Sequence, residues 1–212
     1  MQQLLLQKEE TRVVSTLSGF YNEFRNLINY AQGATDPNLF VTVNIDKFKT
    51  TGFSLENKLD CNNINAGLGV SYIGRYNSFS DDPAYKQENT PAFTWSPELN
   101  GNLIWSIRKL SASIGLFYKF TGARPGYQVF FNTVTGKDEL QQTKLNSFHW
   151  ADLTLTKSFL KYLTATAGVK NIFDVTNLNS TAGGSIHTGS GPVPMGYGRS
   201  YFLGLSFQWN KK

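Results

Sequence analysis

Hydrophobic and polar positions alternate along much of this chain, and the alternation is sharpest at its end. Odd positions there are Tyr201, Leu203, Leu205, Phe207 and Trp209, while even ones are Ser200, Phe202, Gly204, Ser206 and Gln208. A two-residue period sends one set of side chains to each face of a strand, over about the length that crosses a bilayer at a tilt. An apolar row ending in Trp suits a lipid-facing strand whose last aromatic lies at the interface. A half-buried strand of a soluble sandwich fits the same alternation.

The pattern predicts about eight strands: 11–30, 39–59, 64–76, 93–107, 111–121, 147–159, 163–173 and 199–209. In 64–76, Ala66, Leu68, Val70 and Tyr72 oppose Asn65, Gly67, Gly69 and Ser71. In 93–107, Leu99, Gly101, Leu103 and Trp105 oppose Glu98, Asn100 and Asn102, and in 147–159 Ala151, Leu153 and Leu155 oppose Asp152, Thr154 and Thr156. The facing of 11–30 is ambiguous. Gly52 is expected to mark a bulge or bend, and Pro97 to sit near the start of its strand.

The connections have a rhythm. Long, polar, glycine- or proline-bearing stretches (31–38, 77–91, 122–146, 174–198) alternate with short turns at 60–63, 108–110 and 160–162. Outer-membrane barrels have short turns at one rim and long loops at the other, whereas a Greek-key sandwich has no reason to alternate loop length. The expected fold is therefore all-β, an antiparallel transmembrane barrel segment forming a single domain over residues 1–212.

Composition narrows this further. No run approaches the ~20 apolar residues of a spanning helix, while 40% hydrophobic residues, 14% aromatics and 19 glycines suit strands that alternate between lipid and lumen. The mean hydropathy of −0.30 is compatible with such strands. The formal charge of +5 comes from scattered residues with no recognition motif, so no nucleic-acid partner is expected. Cys61 has no second cysteine to pair with, and its Asp60-Cys61-Asn62-Asn63 setting reads as a turn. The first ten residues lack the basic and apolar regions of an export signal, which leaves a soluble chain or a downstream piece of a longer protein.

A longer comparison of motifs is more specific. The stretch Val169-Lys170-Asn171-Ile172-Phe173-Asp174, followed by Gly198-Arg199-Ser200-Tyr201, resembles the end of a TonB-dependent outer-membrane receptor. In that family a Val-Lys-Asn-(Leu/Ile)-Phe-Asp stretch closes the penultimate strand and a Gly-Arg-x-(Tyr/Phe) stretch opens the last. Phe20-Tyr21-Asn22, the Gly52–Leu59 run and Thr121-Gly122-Ala123-Arg124-Pro125 are similar to further family motifs in the same order. The resemblance implies the C-terminal part of a barrel of about 22 strands, with a plug domain absent from this sequence. It implies a bacterial outer-membrane location and uptake of a scarce nutrient such as an iron siderophore, haem, cobalamin or a glycan. It also implies outer-membrane lipid, the remaining barrel strands and, through the plug, the TonB energy complex as partners. A stand-alone eight-stranded barrel with an adhesin or structural role is the alternative, and a soluble β-rich binding module a third.

No enzyme signature is present: the chain has no nucleophile elbow, no Walker loop and no metalloprotease helix. No cofactor or metal site is expected. Ligand-binding candidates are Arg124, Tyr127, Phe130 and Phe131 in the loop after Thr121, with His187 and Tyr197 in the last loop. Loop packing or girdle anchoring explains the aromatics too, and an exposed lone histidine is the simpler reading of His187. Tyr201, Leu203, Leu205, Phe207 and Trp209 form the expected lipid face. Glu56, Glu98, Lys119, Asp152 and Lys170 would face the lumen, lining a pathway or filling the interior as paired charges.

Overall fold

The structure is a computed structural model that describes residues 2–8, 11–32, 40–85, 90–160, 162–181 and 191–208. Nine strands form one antiparallel sheet: β1 (Gln2–Lys8), β2 (Thr11–Gln32), β3 (Phe40–Cys61), β4 (Ile64–Tyr76), β5 (Phe93–Ile107), β6 (Ala112–Thr121), β9 (Phe148–Leu160), β10 (Leu163–Lys170) and β13 (Ser200–Phe207). Between them, β7 (Arg124–Asn132) and β8 (Lys137–Leu145) form one hairpin, and β11 (Asn177–Ser180) and β12 (Gly191–Pro194) another. These join as a second sheet of four strands in the order β12-β11-β8-β7. Among the described residues no helix is long and apolar enough to cross a membrane, which says nothing of strands.

The all-β antiparallel wall is as the alternation predicts, and β1 adds a ninth strand at its edge, paired with β2 from Gln2↔Leu17 to Lys8↔Thr11. Three local expectations are corrected. Residues 122–146 and the described parts of 174–198 are not plain loops: Arg124–Asn132, rich in Tyr127, Val129, Phe130 and Phe131, pairs with Lys137–Leu145, and Asn177–Ser180 pairs with Gly191–Pro194. The strand expected over 163–173 stops at Lys170, where Asn171 turns the chain with φ +54. Gly52 makes no bulge: the β2–β3 register runs through Phe20↔Gly52 unbroken, and a methyl there would lie 2.6 Å from the Tyr72 carbonyl oxygen. Close backbone approach is what demands glycine. Pro97 is the fifth residue of β5, at the step where β6 begins to pair with it at Glu98↔Thr121, and its carbonyl accepts the Gly122 N–H at 2.8 Å.

Strand register sorts every side chain onto one of two faces. Tyr201, Leu203, Leu205 and Phe207 sit opposite Val169, Ala167, Ala165 and Leu163. The same row continues through Leu153 and Leu155, Leu116 and Ile114, Leu103 and Trp105, Ala66 and Leu68, and on to Leu55 and Leu17. Large apolar residues on this face are open, with Leu17 at 50%, Leu155 at 49% and Leu203 at 76% exposure. A soluble protein buries such a row; here the buried hydrophobic residues are only Ala151 and Leu178 among those described. Where the face carries polar groups, it pairs them: Ser15 Oγ donates to Asn57 Oδ1 at 2.7 Å. Lys157 reaches along the strand to the Leu110 carbonyl at the short-turn rim, a snorkelling arrangement that keeps its ammonium away from the apolar middle.

The opposite face is polar. Glu56, Glu98, Asn100, Asn102, Lys119, Asp152, Thr154, Thr156, Thr164, Thr166 and Lys170 share it, with Phe117 and Phe202 among its large apolar members. At the loop end of the apolar face, Tyr72 stacks on Trp95 at 5.0 Å and meets Phe53 at 5.9 Å, and at the turn end Tyr162 packs on Phe207 at 5.3 Å. Aromatics at both rims of an apolar band are the arrangement expected at two membrane interfaces. Cys61 is the last residue of β3, directly before the Asn62–Asn63 turn.

Candidate functional site

The long-connection rim, on the polar face, is where β4, β5 and β6 end and the hairpin sheet begins. Arg75, at the end of β4, donates to Ser96 Oγ at 2.6 Å and lies 3.4 Å from the Glu98 carboxylate. Glu98 also meets the Arg124 guanidinium at 3.5 Å, so one carboxylate bridges two cations. Arg124 is there because the backbone leaves β6 at Thr121 and Gly122 and enters β7 beside β5. Below it Lys119 faces the same side, opposite Asn100 and Trp150.

A cavity of about 250 Å³ lies between this rim and the hairpin sheet, lined by Lys119, Thr121 and Arg124 and by apolar Leu145, Phe148 and Leu178. Thr121 is 1% exposed, yet its Oγ1 has no hydrogen-bond partner, and neither does the buried Arg124 Nε. Buried polar atoms without partners are uncommon and call for an explanation. Lys119 makes no hydrogen bond or ion pair among the described residues. A second, shallower recess lies beside it, between His149, Phe173, Asp174 and Asn177.

Beneath that recess the Asn171 turn holds the last two strands of the wall together. Asn171 is 1% exposed. Its Nδ2 donates to the carbonyls of Val175 and Tyr197 at 3.0 and 3.2 Å, its Oδ1 accepts the Val175 N–H at 2.9 Å, and its own N–H donates to Asp152 Oδ1 at 2.8 Å. Arg199 donates from Nε and Nη2 to the Ile172 carbonyl at 3.0 and 2.7 Å, and its N–H donates to Asp174 Oδ1 at 2.7 Å. Two stretches singled out in the sequence, 169–174 and 198–201, are therefore one clamp. Tyr118, Phe120, His149 and Phe173 pack against it as an aromatic group, with the Tyr118 hydroxyl 2.7 Å from His149 Nδ1.

The candidate residues do not form a single site. Arg124 lines the cavity, and Phe130 lies on its face of β7, whereas Tyr127 and Phe131 alternate onto the other. Phe131 is 61% exposed, and Tyr197 is 95% exposed on the segment between β12 and β13. His187 and Trp209 lie outside the described residues. Among the lumen candidates, Glu98 and Lys119 belong to the rim site, while Asp152 is occupied structurally, accepting both the Trp150 indole N–H at 2.9 Å and the Asn171 N–H. Arg75 and Thr121 escaped sequence reasoning. Their signal was the register: both face the polar side, Thr121 directly opposite Glu98 and Arg75 opposite Thr94, four residues before Glu98 on β5.

At the outer hairpin's tip, hydrogen bonds from Asn132 Nδ2 and then Thr135 Oγ1 hold the Glu139 carboxyl below its usual range. In the β4–β5 connection the Tyr76 hydroxyl, ahead of Lys47, does the same for Asp81. Among the described residues no cluster of three His, Cys, Asp or Glu side chains is placed to hold a metal ion.

The sequence matches the family model described as TonB dependent receptor-like, beta-barrel, over residues 8–172. No curated protein matches it significantly in sequence. Among solved structures the chain is similar to the outer membrane transporter YddB from Escherichia coli, at 16% identity and a TM-score of 0.62, covering 98% of this chain and 31% of that one. It is also similar to the siderophore receptor PirA from Acinetobacter baumannii, at 17% identity and a TM-score of 0.59 over 97% of this chain and 30% of that one. A third is the FrpB iron transporter from Neisseria meningitidis, at 15% identity and 0.57 over 96% and 29%. The chain thus spans about a third of the length of these structural relatives.

Proposed function

This chain belongs to the TonB-dependent receptor β-barrel family of the bacterial outer membrane, and from that premise we propose that it builds the C-terminal wall of an uptake receptor. Its apolar face, with Tyr201, Leu203, Leu205 and Phe207 in the closing strand, meets outer-membrane lipid. Its polar face lines the lumen, and the β7–β8 and β11–β12 hairpins stand over the extracellular mouth. The receptor's cargo is a scarce nutrient such as an iron siderophore, haem, cobalamin or a glycan. Two of the structural relatives are named for siderophore and iron uptake, which makes a ferric complex the first cargo to test. Energy from the TonB complex reaches such a receptor through a plug, so transport needs no covalent chemistry from these residues.

One observation carries this reading: among the described residues, a nine-stranded antiparallel sheet with one apolar face and two open edges, β1 and β13. Open edges are not tolerated in a bilayer. With nine strands alternating in direction, β1 and β13 run the same way, so pairing them would put parallel neighbours in an antiparallel wall. Closure with antiparallel neighbours throughout takes an odd number of further strands. That weighs against a stand-alone eight-stranded barrel and for a larger one that supplies the rest.

The test uses the native protein, carrying an affinity tag encoded in its own gene and extracted from outer membranes. The expected product is a polypeptide carrying a plug and further strands, migrating faster on gels before heating than after. Deleting its gene or the TonB energy complex should abolish the same nutrient-dependent growth. A folded outer-membrane barrel made of this segment alone, or growth indifferent to TonB, would overturn the proposal.

A further inference from the structure

The rim cavity holds features that closure of the wall does not explain. Thr121 Oγ1 and Arg124 Nε are both buried and both unpartnered, and Lys119, lining the same space, has no partner among the described residues. A buried donor left unmade costs about 1–3 kcal/mol, and two beside one recess lose that penalty together if a ligand accepts from both. Charge points the same way. Arg75, Arg124 and Lys119 face Glu98, which already bridges the two arginines, leaving the rim with excess positive charge. The remaining side chains of the wall are mostly apolar, Leu145, Phe148, Leu178, Pro194 and Met195, with Asn146 the polar exception.

We infer that this cavity binds a carboxylate carried on an apolar body, with the carboxylate taken by Arg124 Nε–H, the Thr121 hydroxyl and the Lys119 ammonium. With Nη2 turned to Glu98, Arg124 still has its Nε–H unpartnered, a single charged donor for one carboxylate oxygen. Bare inorganic phosphate fits less well, because the apolar walls strip its water without replacing the contacts. A neutral apolar molecule leaves both donors unmade. The inference deepens the uptake reading by naming a chemistry for the cargo, and rests on that reading only for the side from which the ligand arrives. At about 250 Å³ the cavity takes part of a larger nutrient rather than the whole.

The test is equilibrium binding to the native protein in detergent, read by isothermal titration with 4-phenylbutyrate, its neutral isostere 4-phenylbutyramide, and inorganic phosphate. The acid should bind at least about tenfold more tightly than the amide or phosphate, the size of one charge-assisted hydrogen bond. Arg124→Gln and Thr121→Val should each weaken the acid several-fold, Thr121→Ser should retain it, and Phe131→Ala, on the other face of β7, should leave it unchanged. If Arg124→Gln fails to fold, the Thr121→Val and Thr121→Ser pair decides. Equal binding of acid and amide, no binding to the unaltered protein, or equal behaviour of the two Thr121 variants would overturn the inference. Uptake is not measured here, so a negative result leaves the transport reading standing, and a loss of TonB-dependent growth leaves this one standing.

Discussion

The Asp152 carboxylate accepts the backbone N–H of Asn171 at 2.8 Å, tying the polar face of β9 to the turn that ends β10. Because Asn171 holds the carbonyls of Val175 and Tyr197 with its own side chain, that single contact anchors a turn that in turn positions the start of β13. Arg199 closes the arrangement from the other side, onto the Ile172 carbonyl. The final strand of the wall is therefore aligned by polar contacts at its loop end before its ladder with β10 begins at Lys170↔Ser200.

Removing this clamp should loosen the closing strand. Asn171→Gly keeps a residue that tolerates φ +54 and deletes three side-chain hydrogen bonds, leaving buried groups unmade at a cost of about 3 kcal/mol. Asn171→Ala should cost about 1 kcal/mol more, because a Cβ disfavours the left-handed backbone. Thermal unfolding of the detergent-solubilised protein, followed by loss of the fast-migrating form on gels, measures both. Equal stability of Asn171→Gly and the unaltered protein would remove the clamp from the account.

Gly168 makes a sharper demand on space. A methyl at this position would lie 2.5 Å from the Phe202 ring and 2.6 Å from the Leu153 carbonyl oxygen. The ring can shift, but the backbone oxygen belongs to the β9–β10 ladder. Gly168→Ala should therefore destabilise by about 1–3 kcal/mol, as overpacking does. Gly204→Ala, whose methyl would meet only the Thr166 oxygen at 3.9 Å, is the control and should be close to neutral. Comparing the two unfolding temperatures decides whether close approach, rather than strand glycine in general, is what matters.

How much of this was legible in the sequence follows from what each feature depends on. Alternation such as Ala66, Leu68, Val70 and Tyr72 fixes faces within a strand, so the two-faced wall was readable residue by residue. The β7–β8 and β11–β12 pairs were not, because their strands form a separate sheet and lack a long alternating apolar row. Ligand candidates chosen as one loop, Arg124 with Tyr127, fall on opposite faces once that loop is a strand. Thr121 and Arg75 needed inter-strand register, which spacing along one chain does not contain. The 169–174 and 198–201 stretches were visible as motifs, but their mutual contact is a property of the fold.

The β7–β8 hairpin should be sensitive to acid. Hydrogen bonds from Asn132 and Thr135 lower the Glu139 pKa from 4.5 in the folded hairpin. A carboxyl with a lowered folded pKa adds stability above its unfolded value and loses it as the pH falls through the folded one. Amide exchange at Val134 and Gly136, normalised to intrinsic rates, should be constant above about pH 5 and rise as the pH drops below the ordinary glutamate range. Glu139→Gln should flatten that dependence. A flat profile in the unaltered protein would contradict the assignment.

The two faces of β13 should differ in their tolerance of charge. Leu205 is 73% exposed on the apolar face, opposite Ala165, whereas Ser206 alternates onto the polar face opposite Thr164. A lysine near the middle of a lipid-facing strand costs about 2–4 kcal/mol, and one in a watery lumen far less. Leu205→Lys should therefore lower the yield of folded protein in the outer membrane and its unfolding temperature in lipid, while Ser206→Lys should leave both near their starting values. Trp105, on the apolar face, gives an independent readout: its fluorescence should be quenched by brominated acyl chains more strongly than that of Trp150, on the polar face. The reverse order in either measurement would turn the wall inside out, placing Tyr201, Leu203, Leu205 and Phe207 against the lumen instead of the bilayer.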